Sequence, residues 1–409
     1  MFQVNSEKIK NGEKMKISLI VQCCIFLTMT WWSASYASVC PDLSVGGAPH
    51  PNGGGFVAAT AIVDLTATVT ANASVCEYAR VIGDAIVDDD ARVKGNARIE
   101  GNAIVRGRSL VYGDARVSDS AIVEGNSHIY GSALIRDSAK ALDNTQIYGS
   151  AIIEGNSTVY GSVQISGFAK IKDNARVFGN ARVLGNSMVM SKANVYEYAY
   201  LNGNILASGN AKIRGSVQLY GKVTVLHNAE VSGTVYAKGV DIYIADNAKV
   251  LGAASLSDSV RVYGFATVFE NSSLKNNAEV FDNAIVAGRV TVSGNAKIFD
   301  RALVSAYLVT DNALIYGKAQ VVDAAAVKNS ASVFGEANVG GSVSLLDASK
   351  IYGHAIMNGN SSAELDGEVF ESAQIYDNAV VSGGGRAHGN VVIRGSALLV
   401  IDVDTGEYQ

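Results

Sequence analysis

Aromatic residues return at a fixed interval in this chain. Tyr112, Tyr130 and Tyr148 are eighteen residues apart, and so are Tyr160, Phe178 and Tyr196. A longer series follows: Tyr263, Phe281, Phe299, Tyr316, Phe334, Tyr352 and Phe370, with one seventeen-residue step from 299 to 316. Rings aligned in this way either stack on one another, at roughly 0.2–1 kcal/mol per cross-strand pair, or form an apolar strip for a glycan or another protein. Residues suited to bond-making chemistry are scattered. The histidines are His50, His128, His227, His354 and His388. The pattern puts His128 at an outward strand position and His227 and His354 at corners. His388 follows "SGGGRA" (382–387), the least regular stretch near the C-terminus, and is the catalytic candidate. Asp88, Asp89 and Asp90 are adjacent carboxylates that read as a solvated corner, so no metal site is assigned. Neither a Ser-His-Asp arrangement nor a P-loop nor a metal-spaced Cys/His cluster is present, and no cofactor is implied.

The interval comes from a shorter repeat. Cut every six residues, the chain aligns as "ARVKGN ARIEGN AIVRGR SLVYGD ARVSDS AIVEGN". A small residue comes first and an aliphatic third, so both point to the same face of a strand while their neighbours point away. Gly-Asn, Asp-Asn or Gly-Ser then supplies a corner, since these residues tolerate the left-handed backbone of a tight bend. The aliphatic position recurs 57 times between Val63 and Leu399, with one-residue slips only near 238–243 and 305–308. Three such sides close a triangle, so one turn takes eighteen residues and the residue above Tyr112 is Tyr130. The expected architecture is all-β: a single-chain parallel β-helix, a triangular solenoid of about 19 turns, roughly 90 Å long at about 4.8 Å per turn. The seven rings from Tyr263 to Phe370 each follow an aliphatic core residue and are expected to point outward on one side.

This spacing, aliphatic-x-x-x-small-x over about Val57 to Leu399, resembles the left-handed parallel β-helix of the hexapeptide-repeat family. Glycine departs from the pattern of many family enzymes, because it falls two places after the aliphatic (Gly113, Gly131, Gly149) and not one. The resemblance implies a left-handed coil and, among its members, acyltransferases acting on a sugar or polysaccharide. Those enzymes use a histidine near an extruded loop at a cleft between subunits. This chain has no long insertion, and His388 is its nearest counterpart. The primary expectation is therefore a non-enzymatic solenoid, a spacer or a surface- or glycan-binding rod, with acyl transfer as the alternative.

The ends carry the remaining signals. Lys14 and Lys16 flank Met15, an alternative start. An apolar run from Ile17 to Trp32 follows, and "SYA" (35–37) offers a cleavage point. Residues 1–37 thus read as a secretory signal, giving a secreted, periplasmic or cell-surface protein with no membrane span in the mature chain. Residues 38–56 form a lead or cap, 57–400 the β-helix and 401–409 a charged tail. Cys40 and Cys76 would remain after cleavage and read as one disulfide. The three prolines, Pro41, Pro49 and Pro51, all precede the repeat, where they remove no ladder hydrogen bond. The formal charge is −5, which excludes a basic nucleic-acid footprint. The partners expected are a glycan or a cell-surface protein.

Overall fold

The computed structural model describes Cys40 and residues 46–409. The expected signal segment, Pro41 and the alternative start at Met15 lie outside the described residues. The chain winds as a parallel β-solenoid with three sides, and successive strands on each side pair eighteen residues apart, as in Ile104 with Ile122 and Arg116 with Leu134. One side carries 20 strands, which at about 4.8 Å per turn makes a prism of ~95 Å. Among the described residues there is no helix.

The six-residue pattern explains each side. Position three is almost everywhere a fully buried Val, Ile, Leu or Ala (Met357 in one unit), and position one in most units a buried Ala, Val, Ser or Thr. A narrow interior leaves room only for such side chains, and fully burying a Val or Ile is worth roughly 1.5–3 kcal/mol. Where serine takes the small position, its hydroxyl donates to the carbonyl three residues earlier: Ser109 to Arg106, Ser127 to Glu124 and Ser157 to Glu154, at 2.7–2.8 Å. At these three positions the polar group is buried yet satisfied, whereas the Ser349 hydroxyl at the same repeat position is buried without a partner.

The corners account for where glycine falls. The residue two places after the aliphatic has positive φ at almost every bend, +72° at Gly113 and +69° at Gly131, for example. A Cβ at Gly131 would also meet the backbone of Gly149 at 3.0 Å. Aspartate is the common substitute, as at Asp119, Asp137, Asp143 and Asp173. A left-handed conformation costs a non-glycine residue roughly 1–2 kcal/mol. The aspartates recover it through the stack. Asp137 Oδ2 accepts the Gly155 amide at 2.8 Å, Asp143 Oδ2 that of Gly161 at 2.9 Å, and Asp173 Oδ2 that of Ser191 at 2.9 Å. A hydrogen bond to a charged group contributes about 1.5–3 kcal/mol, enough to balance the strain. Neighbouring corners are tied by asparagine ladders, Asn210 to Asn228 to Asn247 and Asn277 to Asn295 to Asn312.

Both slips fall where the sequence places them. The first is a bulge: Gly221 pairs with Gly239 but Val223 with Ile242. The second is a deletion, after which Thr291 pairs with Leu308 and Lys297 with Leu314. The two ends differ from each other. At the N-terminal end β1 (Gly47–Pro49) runs antiparallel to β2 (Phe56–Ala58). The connection between them crosses the first turn, with Gly55 N donating to Val69 O at 2.8 Å and Val69 N to Asn52 O at 3.0 Å. Cys40 and Cys76 are joined, with Cα atoms 5.7 Å apart, and they pack with Phe56 and Ala58 in a small cluster of their own. At the other end, the coil continues through the residues expected as a tail. Val403 pairs beside Ala387 and Tyr408 beside Ile393, in strands Asp402–Val403 and Glu407–Tyr408. These last sides shorten to four and five residues, and the six-residue template does not register them.

Candidate binding surface

The seven rings from Tyr263 to Phe370 stand on one side of the prism, each over the last. Consecutive centroids are 4.8–5.0 Å apart and ring planes agree within 0–4°. His388 is the eighth member, its ring 4.8 Å from that of Phe370 at 12°. The candidate catalytic histidine therefore sits eighteen residues past Phe370 as another ring in the stack. The "SGGGRA" stretch before it stays in register, with Gly385 at the small inward position, where a Cβ would meet Leu399 O at 2.4 Å. His388 Nε2 lies 2.8 Å from Asp402 Oδ1, and Nδ1 lies 3.9 Å from Glu371 Oε2. Both ring nitrogens face carboxylates, and neither is left aimed at an acceptor hydroxyl.

The column is half-buried, and its geometry limits what it offers. Parallel rings one repeat apart cover each other's faces in an offset stack, leaving edges toward solvent. Burial pushes the phenols of Tyr263, Tyr316 and Tyr352 above the ordinary 10.0, with Glu279, Asp300 and Glu368 respectively adding to the rise. On the same outward column nearer the N-terminus the chemistry changes to charge: Arg136, Glu154 and Lys172 occupy consecutive turns. Burial alone would raise the Glu154 carboxyl, but hydrogen bonds and charge from Arg136 and Lys172 hold it below its ordinary range.

The two shorter aromatic series stack in the same way. Tyr112, Tyr130 and Tyr148 lie 4.9 Å apart, and Tyr160, Phe178 and Tyr196 4.7–4.8 Å apart, each series on a different side. The remaining histidines are dispersed. His128 is outward and exposed, His227 pairs with Asp246 at 2.9 Å and His354 with Glu336 at 3.4 Å, both at corners. His50 is buried in the cap. The carboxylates of Asp88, Asp89 and Asp90 diverge to Thr70, Gly107 and Arg108. Among the described residues no group of three or more His, Cys, Asp or Glu is gathered as a metal site, and no helix is long and apolar enough to cross a membrane.

A second aromatic region does not follow the eighteen-residue rule. Tyr200, Tyr220 and Tyr236 form a diagonal chain with centroids 5.5 and 5.7 Å apart and planes tilted by 44° and 47°. Tyr200 lies beside Gln218, and Tyr220 beside Asn202 and Lys238, so no ring sits directly over another. The strands here, Tyr200–Ala207, Gln218–Val225 and Tyr236–Ile244, run unbroken through what is elsewhere a corner. At their upstream edge is a shallow concavity of about 570 Å³ lined by Asn180, Arg182, Tyr198, Tyr200, Ser216, Gln218 and Tyr220.

The fold and these columns define a β-solenoid repeat protein. In keeping with that class, the family model described as the YdcK beta solenoid repeat matches residues 111–125 and 373–389. The first stretch contains Tyr112 and the second His388. No curated protein matches the chain.

Proposed function

We propose that this chain is a secreted, non-enzymatic solenoid, a rigid rod of the left-handed hexapeptide type that holds a glycan-binding surface away from its point of attachment. The observation that carries this reading is the unbroken register. Strands pair eighteen residues apart along the prism, with a one-residue bulge and a one-residue deletion as the departures before the last turn. Many corner aspartates bind the next corner's amide and three series of rings stack on the next ring, which is what a stiff spacer needs. The disulfide-pinned lead supports export, because disulfides persist in oxidising compartments.

Acyl transfer, the alternative that the hexapeptide resemblance raises, would need a histidine nitrogen free to take a proton from an acceptor hydroxyl. His388, held between Asp402 and Glu371 and stacked on Phe370, is placed as a structural ring. A glycan array probed with the exported chain, alongside a titration with acyl-CoA, tests the two readings. The rod reading predicts retention of a defined glycan and no acyl-CoA binding. Micromolar acyl-CoA binding that disappears in His388→Ala would replace it.

A further inference from the structure

We infer that the concavity lined by Tyr198, Tyr200 and Tyr220 is a binding site for an acidic oligosaccharide, a chain carrying uronate-type carboxylates. The inference rests on the glycan-binding reading above and assigns it a place. Recognition of a sugar needs an open ring face, because the electron-rich face attracts the C–H edge of a pyranose. Rings stacked at 0–4° cover one another face to face, whereas rings tilted by 44° and 47° meet without that parallel overlap. Tyr198 adds a corner ring with 65% of its surface exposed.

The polar groups are of the right kind. Asn180, Ser216 and Gln218 are exposed along the concavity and offer both donors and acceptors to hydroxyls. Arg182, also exposed, makes no ion pair among the described residues, whereas Arg214, further along the rod, is held by Glu230 at 2.7 Å. A planar guanidinium left without a partner beside aromatic rings suits a bidentate carboxylate. The side chains are also pre-arranged: Asn202 Nδ2 donates to the Tyr200 hydroxyl at 3.2 Å, and the Tyr220 hydroxyl donates to Gln218 Oε1 at 3.2 Å. The volume of about 570 Å³ falls within the range of small-ligand sites. The lining residues come from three successive turns, so a bound chain would lie along the rod axis over about 10 Å.

The test is a calorimetric titration of the full chain with an oligogalacturonate, repeated with the same oligosaccharide after its carboxylates are reduced to alcohols. The site predicts saturable binding of the acid form, weakened about tenfold by Tyr198→Ala or Arg182→Gln, with melting unchanged because both side chains are exposed. It also predicts about tenfold weaker binding of the reduced form, and no change in Phe334→Thr/Tyr352→Thr. Equal affinity for the two oligosaccharides would overturn the acidic assignment. Binding that survives both site variants, or that is lost in the ring-column variant, would overturn the site while leaving a glycan-binding rod standing. Should the chain retain nothing on the array or in the titration, both readings fall together.

Discussion

Two aromatic regions lie on the same rod, built from the same residue types on the same backbone, yet they present opposite surfaces. In the column from Tyr263 to His388 every ring repeats the position of the one before, so the faces close on each other at 4.8–5.0 Å. Around Tyr200, Tyr220 and Tyr236 the spacing alternates between twenty and sixteen residues. Rings then meet diagonally and tilt by 44° and 47°. Register separates the parallel stack from the tilted cluster. Counting aromatic residues does not distinguish the two, and neither does knowing which side of the prism they occupy.

The largest effect expected is from the core beneath the column. Val333→Asp places a charge in a fully buried position with no partner, which costs several kcal/mol. Because each turn is supported mainly by its neighbours, protease cleavage should appear first around residues 315–351, with oligosaccharide binding at Tyr198 retained while the distant turns stay wound. Unchanged melting and protease resistance would contradict the inward assignment. Reduction of Cys40–Cys76 comes next. It releases the lead that crosses the first turn, and a disulfide of this kind contributes about 2–4 kcal/mol. Amide exchange should rise in β1, β2 and the first turn, and both aromatic regions should be unaffected.

Smaller effects separate the two regions directly. Phe334→Thr with Tyr352→Thr should lower stability by about 1–2 kcal/mol, as expected for lost cross-strand pairs, and leave ligand affinity unchanged. A collapse of affinity without thermal cost would make the column the binding surface. The smallest effect is on alkaline stability. The phenols of Tyr263, Tyr316 and Tyr352 are raised above 10.0 by burial, so the folded state holds these protons more tightly than the unfolded chain does. Their contribution is fully present below the ordinary phenol pKa and is lost as pH rises through the higher folded values. Melting temperature should therefore fall above about pH 10, and Tyr316→Phe/Tyr352→Phe should make that fall shallower.

Much of this was legible in the residues. A period of two sets which side chains point inward, and Asp or Gly two places after the aliphatic sets the corner. Together these fix the eighteen-residue turn, both slips and the three stacked series. The Cys40–Cys76 link was legible because only two cysteines follow the segment expected to be an export signal. His388 was missed as the eighth ring although the interval points to it. The titration chemistry of histidine points to catalysis, while its place in the stack depends on its shape. The strands at Val403 and Tyr408 escaped because their sides are shorter than six residues. Tyr196, Tyr198 and Tyr200 lie close together in the sequence, but the tilt arises between turns, from Tyr220 and Tyr236, and does not show in local order.

Hydroxyl-radical footprinting of the full chain, with and without a saturating acidic oligosaccharide, tests the contrast between closed and open rings most directly. The predicted result is that oxidation of Tyr198, Tyr200 and Tyr220 falls on binding, while Tyr316, Phe334 and Tyr352 react equally in both samples. Protection of the column with no change at Tyr198 would contradict the claim that register determines which rings can bind.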